Sequence, residues 1–353
     1  MANVIFDSNS RVYLSNATDA TGSTVIGYQA GASIGDGDDF NVFIGHQVAD
    51  ASMTNATKNV GVGYQALSAL AQGDKNIAIG YNSSVALDDG TDNVTIGNQA
   101  GDSLTSGSGN VAIGADALGA STDVDRAIVI GADAGGADMT SAADGTIAIG
   151  FAAGAAITSG AGNTAIGYKA GEDITDADYN TLIGYEAGAN IISGHSNICI
   201  GREAGKSLDN SDHNIAIGRD AMNDSTHDDS KYNIGIGSYT LDAIGGNLAE
   251  KNIAIGYQAG SGITTGDDNT IVGYRAGQVT TELAGGIDNT LIGSGAITSA
   301  PGGNNQTVVG AHTSGQADNS VTLGNASVTA VYAAQDKDAI VYCGGIQFDD
   351  AGE

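Results

Sequence analysis

An aliphatic residue followed by glycine recurs along the chain at a nearly constant interval. With the glycine as register mark, the step falls at Gly27, Gly45, Gly63, Gly80, Gly97, Gly114, Gly131, Gly150, Gly167, Gly184, Gly201, Gly218, Gly237, Gly256, Gly273, Gly293, Gly310 and Gly324. Ten of the seventeen intervals are 17 residues and most others are 18 to 20. The residue before the glycine is always Ile, Val or Leu, and the residue four before it is Asn in 13 of 18 cases. A fixed short period with an aliphatic in constant phase marks a solenoid, in which each unit buries its apolar surface only against its neighbours. Asn163-Thr164-Ala165-Ile166-Gly167 is the clearest unit. Asn76 with Ile79 and Gly80, Asn93 with Gly97, Asn180 with Gly184 and Asn252 with Gly256 restate it.

Alternation between the Asn and the Gly is that of a short strand, with the residues three and one before the glycine on one face. An Ala and then an apolar residue follow the glycine (Leu70, Leu87, Leu104, Ile157, Ile174, Ile191) and predict a second short strand. Two strands and two turns per 17 residues describe a narrow parallel β-coil. The glycine is expected at a corner where a Cβ would clash or φ is positive. The aliphatic before it is expected to fill the interior. The Asn is expected to bridge backbone groups at the other corner and to bond its copies above and below.

Composition fits a thin rod better than a globule. Trp is absent, aromatics are 5%, Gly numbers 55 and there is one Pro, Pro301. Burying an Ile is worth roughly 1.5–3 kcal/mol, while ordering each backbone residue costs about 1–2 kcal/mol. One or two aliphatics per turn do not cover that, so a second face is expected to pack on sister chains. The position two before the glycine is a candidate for that face, being small or uncharged (Gly61, Ala78, Thr95, Val129, Leu182, Cys199), although alternation alone allows either strand face to be the inner one. If it faced a threefold axis, three copies of Cys199 would meet. At about 4.8 Å per turn, seventeen steps extend roughly 80 Å.

The net charge of −29 argues against nucleic acid and against an acidic membrane surface, since both need clustered Lys and Arg. Cys199 and Cys343 form neither a metal spacing nor a disulfide framework. No apolar run approaches the roughly 18 residues of a transmembrane helix, so no membrane insertion is expected. The N-terminus lacks the features of a secretory signal, which predicts a leader outside this sequence or release by lysis.

Three regions follow: residues 1–22, an attachment or capping segment or else an imperfect first coil; 23–324, the repeat array; and 325–353, a C-terminal cap with strands over Val328–Tyr332 and Ile340–Tyr342. Insertions cluster before the Asn, at 138–145, 223–232, 241–251 and 278–288, along one edge of the rod.

The recurrent Asn-x-Ala-Ile-Gly-x-x-Ala, as in Asn252-Ile253-Ala254-Ile255-Gly256-Tyr257-Gln258-Ala259, resembles the head repeats of trimeric autotransporter adhesins and the related longer repeats of bacteriophage tail fibres. Over 23–324 the resemblance implies a left-handed parallel β-roll packed as a homotrimeric rod and working in attachment. Its partners would then be virion or other assembly proteins and a host cell-surface glycan or protein. The longer repeat and the missing stalk heptads, leader and anchor point to a virion surface over a bacterial cell surface, the adhesin passenger being the alternative. A polysaccharide-degrading spike is a second alternative. Enzymatic activity is not expected, because no nucleophile elbow or recurrent base appears and a regular rod offers no deep cleft.

Two sets of side chains are candidates for ligand contact. Acidic loops (Asp36 and Asp38; Asp88, Asp89 and Asp92; Asp176 and Asp178) read as solvated turns or, alternatively, as Ca²⁺ loops, though their spacing matches no EF-hand. Tyr28, Tyr64, Tyr81, Tyr168, Tyr185, Tyr257 and Tyr274, each just after a repeat glycine with Phe151 in phase, read as packing at a corner or trimer seam or as a sugar-stacking row. His195 and His213, one turn apart, make a weak zinc pair.

Overall fold

Each turn of the chain contributes one three-residue strand just before its glycine, as in Thr164–Ile166. The computed structural model describes residues 12–14, 21–223, 230–244, 249–278 and 284–331. β1 (Val12–Leu14) pairs antiparallel with β2 (Thr24–Ile26). From β2 onward every strand pairs parallel with the next, to β19 (Ser320–Leu323), giving a single 19-stranded sheet. Register is one repeat per step: Thr164 faces Thr181, Ala165 faces Leu182 and Ile166 faces Ile183. The chain is therefore an all-β parallel solenoid, and a three-residue 3₁₀ turn at Ser141–Ala143 is the only helix among the described residues.

The segment after the glycine is not the second strand that the sequence predicts. Its residues alternate into the left-handed region, as at Lys169 (φ 53°) and Gly171 (φ 55°), which breaks any extended run. It still bonds turn to turn: Gly154 N–H donates to Ala170 O at 2.9 Å and Gly171 N–H to Ala187 O at 3.0 Å. The backbone is thus satisfied by stacking even where it is not strand.

The repeat glycine sits at a corner for both expected reasons. Gly167 has φ 143°, and a Cβ there would overlap the carbonyl of Gly184 in the next turn. All seventeen register glycines from Gly27 to Gly310 share φ between 130° and 150°. Only glycine lets successive corners stack this closely.

The aliphatic before the glycine does not fill the interior as expected, and of the two strand faces that alternation allows, the other is the inner one. The residue two before the glycine points into the coil: Ala78, Ala165, Leu182, Cys199 and Ala254 are fully buried within one chain. The aliphatics one and three before it point outward, with Ile79 38% and Ile255 40% exposed. The physical reason is cross-section. The interior must also hold the Ala three after the glycine, the Leu or Ile seven after it and the Asn, and all of these are buried. Cys199 therefore meets its own coil and no threefold axis, and burial pushes its thiol pKa up to about 12.

In several turns interior volume is shared between two positions. Where the residue four after the glycine is large (Leu67, Leu118, Met222, Leu241), the one two before it is small: Gly61, Ala112, Ala216, Gly235. Where the inner residue is larger, as at Val129, Leu182, Cys199 and Ile271, the other is glycine. A Cβ on Gly188 would strike Leu182, and one on Gly61 would strike Val48. In these turns close packing trades one side chain against the other.

At the ends, Val328–Val331 is not strand, contrary to expectation, and Asn325 Nδ2 donates to Ala311 O at 2.8 Å. Most of 1–22, the segment 332–353 with Cys343 and the expected strand Ile340–Tyr342, and parts of three insertions lie outside the described residues.

Candidate interaction surfaces

Two hydrogen-bonded ladders flank the strands. The first is the buried Asn row. Asn180 N–H and Nδ2 both donate to Asn163 Oδ1, at 2.9 and 3.2 Å, while Nδ2 also donates to Gly194 O at 2.9 Å. The pattern runs through Asn41, Asn59, Asn76, Asn93 and Asn110, stops where Ala127 and Thr146 replace Asn, and resumes from Asn163 to Asn289. Every side-chain amide is spent on backbone or on its neighbour, so this row holds the coil together.

The second ladder lies two residues earlier and was not separated from the acidic loops by sequence reading. Asp178 Oδ1 accepts from Ala161 N–H at 2.7 Å, Asp212 Oδ1 from His195 N–H at 2.9 Å, and Asp267 Oδ1 from Glu250 N–H at 2.8 Å. Asp39, Asp74, Asp125, Asp144 and Asp318 do the same one turn along. The available signal was phase: Asp-x-Asn recurs at 39–41, 74–76, 178–180, 212–214 and 267–269. Each carboxylate accepts a charge-assisted bond from a corner N–H that has no strand partner.

The candidate Ca²⁺ residues divide accordingly. Asp38 is buried, with both oxygens on backbone N–H groups of Gly35 and Ala56. Asp178 belongs to the outer ladder, whereas Asp36, Asp88, Asp89, Asp92 and Asp176 are exposed, Asp92 with Lys75 at 3.8 Å. Among the described residues no three His, Cys, Asp or Glu converge as a metal cage. His195 joins the outer ladder, Nδ1 accepting from Asp178 N–H at 2.9 Å, while His213 stacks on Tyr232 with centroids 5.2 Å apart.

The tyrosines after the glycine stand outside the coil and stack on one another. Tyr28, His46, Tyr64 and Tyr81 form one pile at 5.0 to 5.3 Å, Phe151, Tyr168 and Tyr185 a second at 5.4 and 5.1 Å, and Tyr257 with Tyr274 a third at 5.5 Å. Ring faces inside a pile are covered by the next ring. What the piles present sideways is ring edges and hydroxyls, so stacking on a sugar is left to pile ends, of which Tyr185 and Tyr274 already carry the Arg202 and Arg275 guanidinium groups over their rings.

The remaining surface is the outer strand face. Ile44, Ile77, Ile79, Ile128, Ile183, Ile236, Ile255, Ile292 and Val309 are each more than a third exposed, aligned by the one-residue register of the ladder. Repetition turns single exposed aliphatics, each ordinary alone, into a continuous apolar strip. No helix among the described residues is long and apolar enough to cross a membrane. In comparisons with known proteins the chain matches no family profile and no curated relative.

Proposed function

We propose that this chain is a structural and adhesive fibre: a left-handed coil that stands as a homotrimeric rod on a virion surface and attaches it to a host. The observation that carries the reading is the outer strand face, an apolar strip running with the sheet on a coil whose interior admits mostly Ala and single Leu or Ile side chains. A strip of this length is best covered by identical strips, since only a second copy repeats with the same spacing. The resemblance of the Asn-x-Ala-Ile-Gly repeat to adhesin heads and tail-fibre repeats supports three copies and a role in attachment. The charge of −29 keeps such rods from associating indiscriminately.

Sedimentation equilibrium tests the assembly and imaging tests its place. The expected mass is three times 34.9 kDa, and the expected image is thin rods projecting from a particle that carries antibody to this chain. A stable species at 34.9 kDa would overturn the trimer, and labelling of the chain away from any particle surface would overturn the virion role.

A further inference from the structure

The row of stacked rings is interrupted between Tyr185 and Tyr257, where Arg202, Arg219 and Ser238 occupy the position just after the glycine. Within this gap a tyrosine appears one place later, at Tyr239. Its ring lies edge-on to Tyr257, at 78° and 6.0 Å, whereas every other ring pair among the described residues is stacked within 27°. The Arg219 guanidinium lies over one face of the half-buried Tyr239 ring, 5.5 Å from its centre, which leaves the other face for a ligand. A groove of about 560 Å³ lies on the rod's side here, and its lining residues run from Arg202 to Gln278. The turns marked by Gly201 and Gly273 are four steps apart, roughly 19 Å at the sheet spacing.

The lining is polar and already arranged. Asp220 is only 7% exposed and accepts from Arg219 Nε at 2.8 Å, while Arg202 donates to Glu203 from Nε and Nη2 at 3.0 and 2.6 Å. Asn223 Nδ2 reaches Asp220 Oδ1 and Glu203 Oε2 at 3.4 and 3.5 Å, and Gln258 and Gln278 border the same space. Planar carboxylate, guanidinium and amide groups around a ring suit vicinal hydroxyls, which donate and accept at once. The carboxylates of Glu203, Asp220 and Asp242 outnumber the two arginines, and the chain is strongly acidic, so an anionic ligand is disfavoured.

We propose that this groove is a saccharide-binding site for a short neutral oligosaccharide, with Tyr239 as platform and Asp220, Glu203 and Asn223 as the hydroxyl-binding set. The volume lies within the range of small-ligand sites, and its shallow polar walls fit a sugar better than an apolar ligand. The assignment does not depend on the trimer, because the groove lies within a single chain.

Saturation-transfer NMR and calorimetry on the full chain test it with neutral trisaccharides built from glucose, galactose, mannose or N-acetylglucosamine, and with sialyllactose as the anionic control. Binding of at least one neutral trisaccharide in about the millimolar range or tighter is expected. Tyr239→Ala and Asn223→Ala should each weaken it about five- to tenfold, the size of one lost ring contact or neutral hydrogen bond. Tyr81→Ala, in an intact pile far along the rod, should not. Circular dichroism checks that each variant keeps its β-coil, and the half-buried Gln258 at the border of the groove offers Gln258→Ala as a further variant should Tyr239→Ala unfold. Absence of binding by every neutral sugar, preference for sialyllactose, or binding retained in the groove variants would each overturn the proposal.

Discussion

Asn180 donates twice to one atom of the turn before it: its backbone N–H and its Nδ2 both reach Asn163 Oδ1, at 2.9 and 3.2 Å. Its own Oδ1 accepts from Asn197 N–H at 2.8 Å, so a single side chain ties three turns. Asn180→Ala leaves the buried Asn197 N–H and Gly194 carbonyl without these partners. At about 1–3 kcal/mol for each orphaned group, a loss of roughly 2–5 kcal/mol is expected locally. Native-state amide exchange at Asn197 is the measurement, because a solenoid opens turn by turn and a single melting temperature averages over it. Unchanged protection at Asn197 would show that the ladder contributes nothing.

Gly167→Ala tests the corner. The residue must hold φ near 143° and place a methyl group against the Gly184 carbonyl, which cannot retreat without shifting the next turn. Gly145 also has positive φ, at 77°, but a Cβ there meets nothing within 4 Å. Gly145→Ala is therefore expected to cost about 1 kcal/mol for backbone strain and Gly167→Ala several times more, read as urea midpoints or as loss of soluble protein. Equal effects would mean that φ alone, and not the close approach of turns, requires the glycine.

The period, the corner glycine and the Asn ladder were legible because each is a column, and columns show in a sequence as constant phase. The direction of the strand faces was not. Ile166 and Ala165 alternate equally well with either one inside, and hydrophobicity favours the Ile. The interior beside Ala165 already holds Asn163, Ala170 and Ile174, and the Ile on the other strand face is left outside. The pairing of Leu182 with Gly188 and of Gly61 with Leu67 carries this information as compensating volumes, visible only once the two positions are known to touch. The outer Asp ladder was hidden differently, because Asp178 looks like any other loop acid until the N–H of Ala161 is placed beside it.

Outward-facing isoleucines make the assembly testable without disturbing the coil. Ile79→Glu and Ile255→Glu place charges on the outer strip, where each side chain is 38% and 40% exposed in the single chain. Forfeiting up to about 1.5–3 kcal/mol per buried Ile, in addition to the cost of desolvating a carboxylate, the double variant is expected to sediment at 34.9 kDa with an unchanged β spectrum. Ala78→Glu, one residue away but fully buried, should instead destroy the fold. An assembly that survives the double variant would place the interface elsewhere on the rod.

Acid should separate the two ladders. Burial pushes the Asp212 carboxyl up, but the His195 N–H at 2.9 Å and the Lys231 ammonium at 3.0 Å outweigh it and hold the group below its usual value. Asp318 is lowered by the Asn304 N–H and the Gln306 side chain, with burial opposing. A depressed carboxylate contributes stability that is present above its unfolded value, near 4, and is lost as pH falls through its folded value. The neutral amides of the Asn row do not titrate in this range. Between about pH 5 and 2, exchange protection at the His195 amide, corrected for intrinsic rate, is expected to fall while that at Asn197 holds. Asp212→Asn should flatten the His195 profile. An amide already serves at this ladder position, where Asn304 Oδ1 accepts from Ile287 N–H at 3.0 Å, so the variant keeps an acceptor at every pH. Parallel loss of protection at both amides would mean that acid opens whole turns and that the carboxylate row is not a separate element.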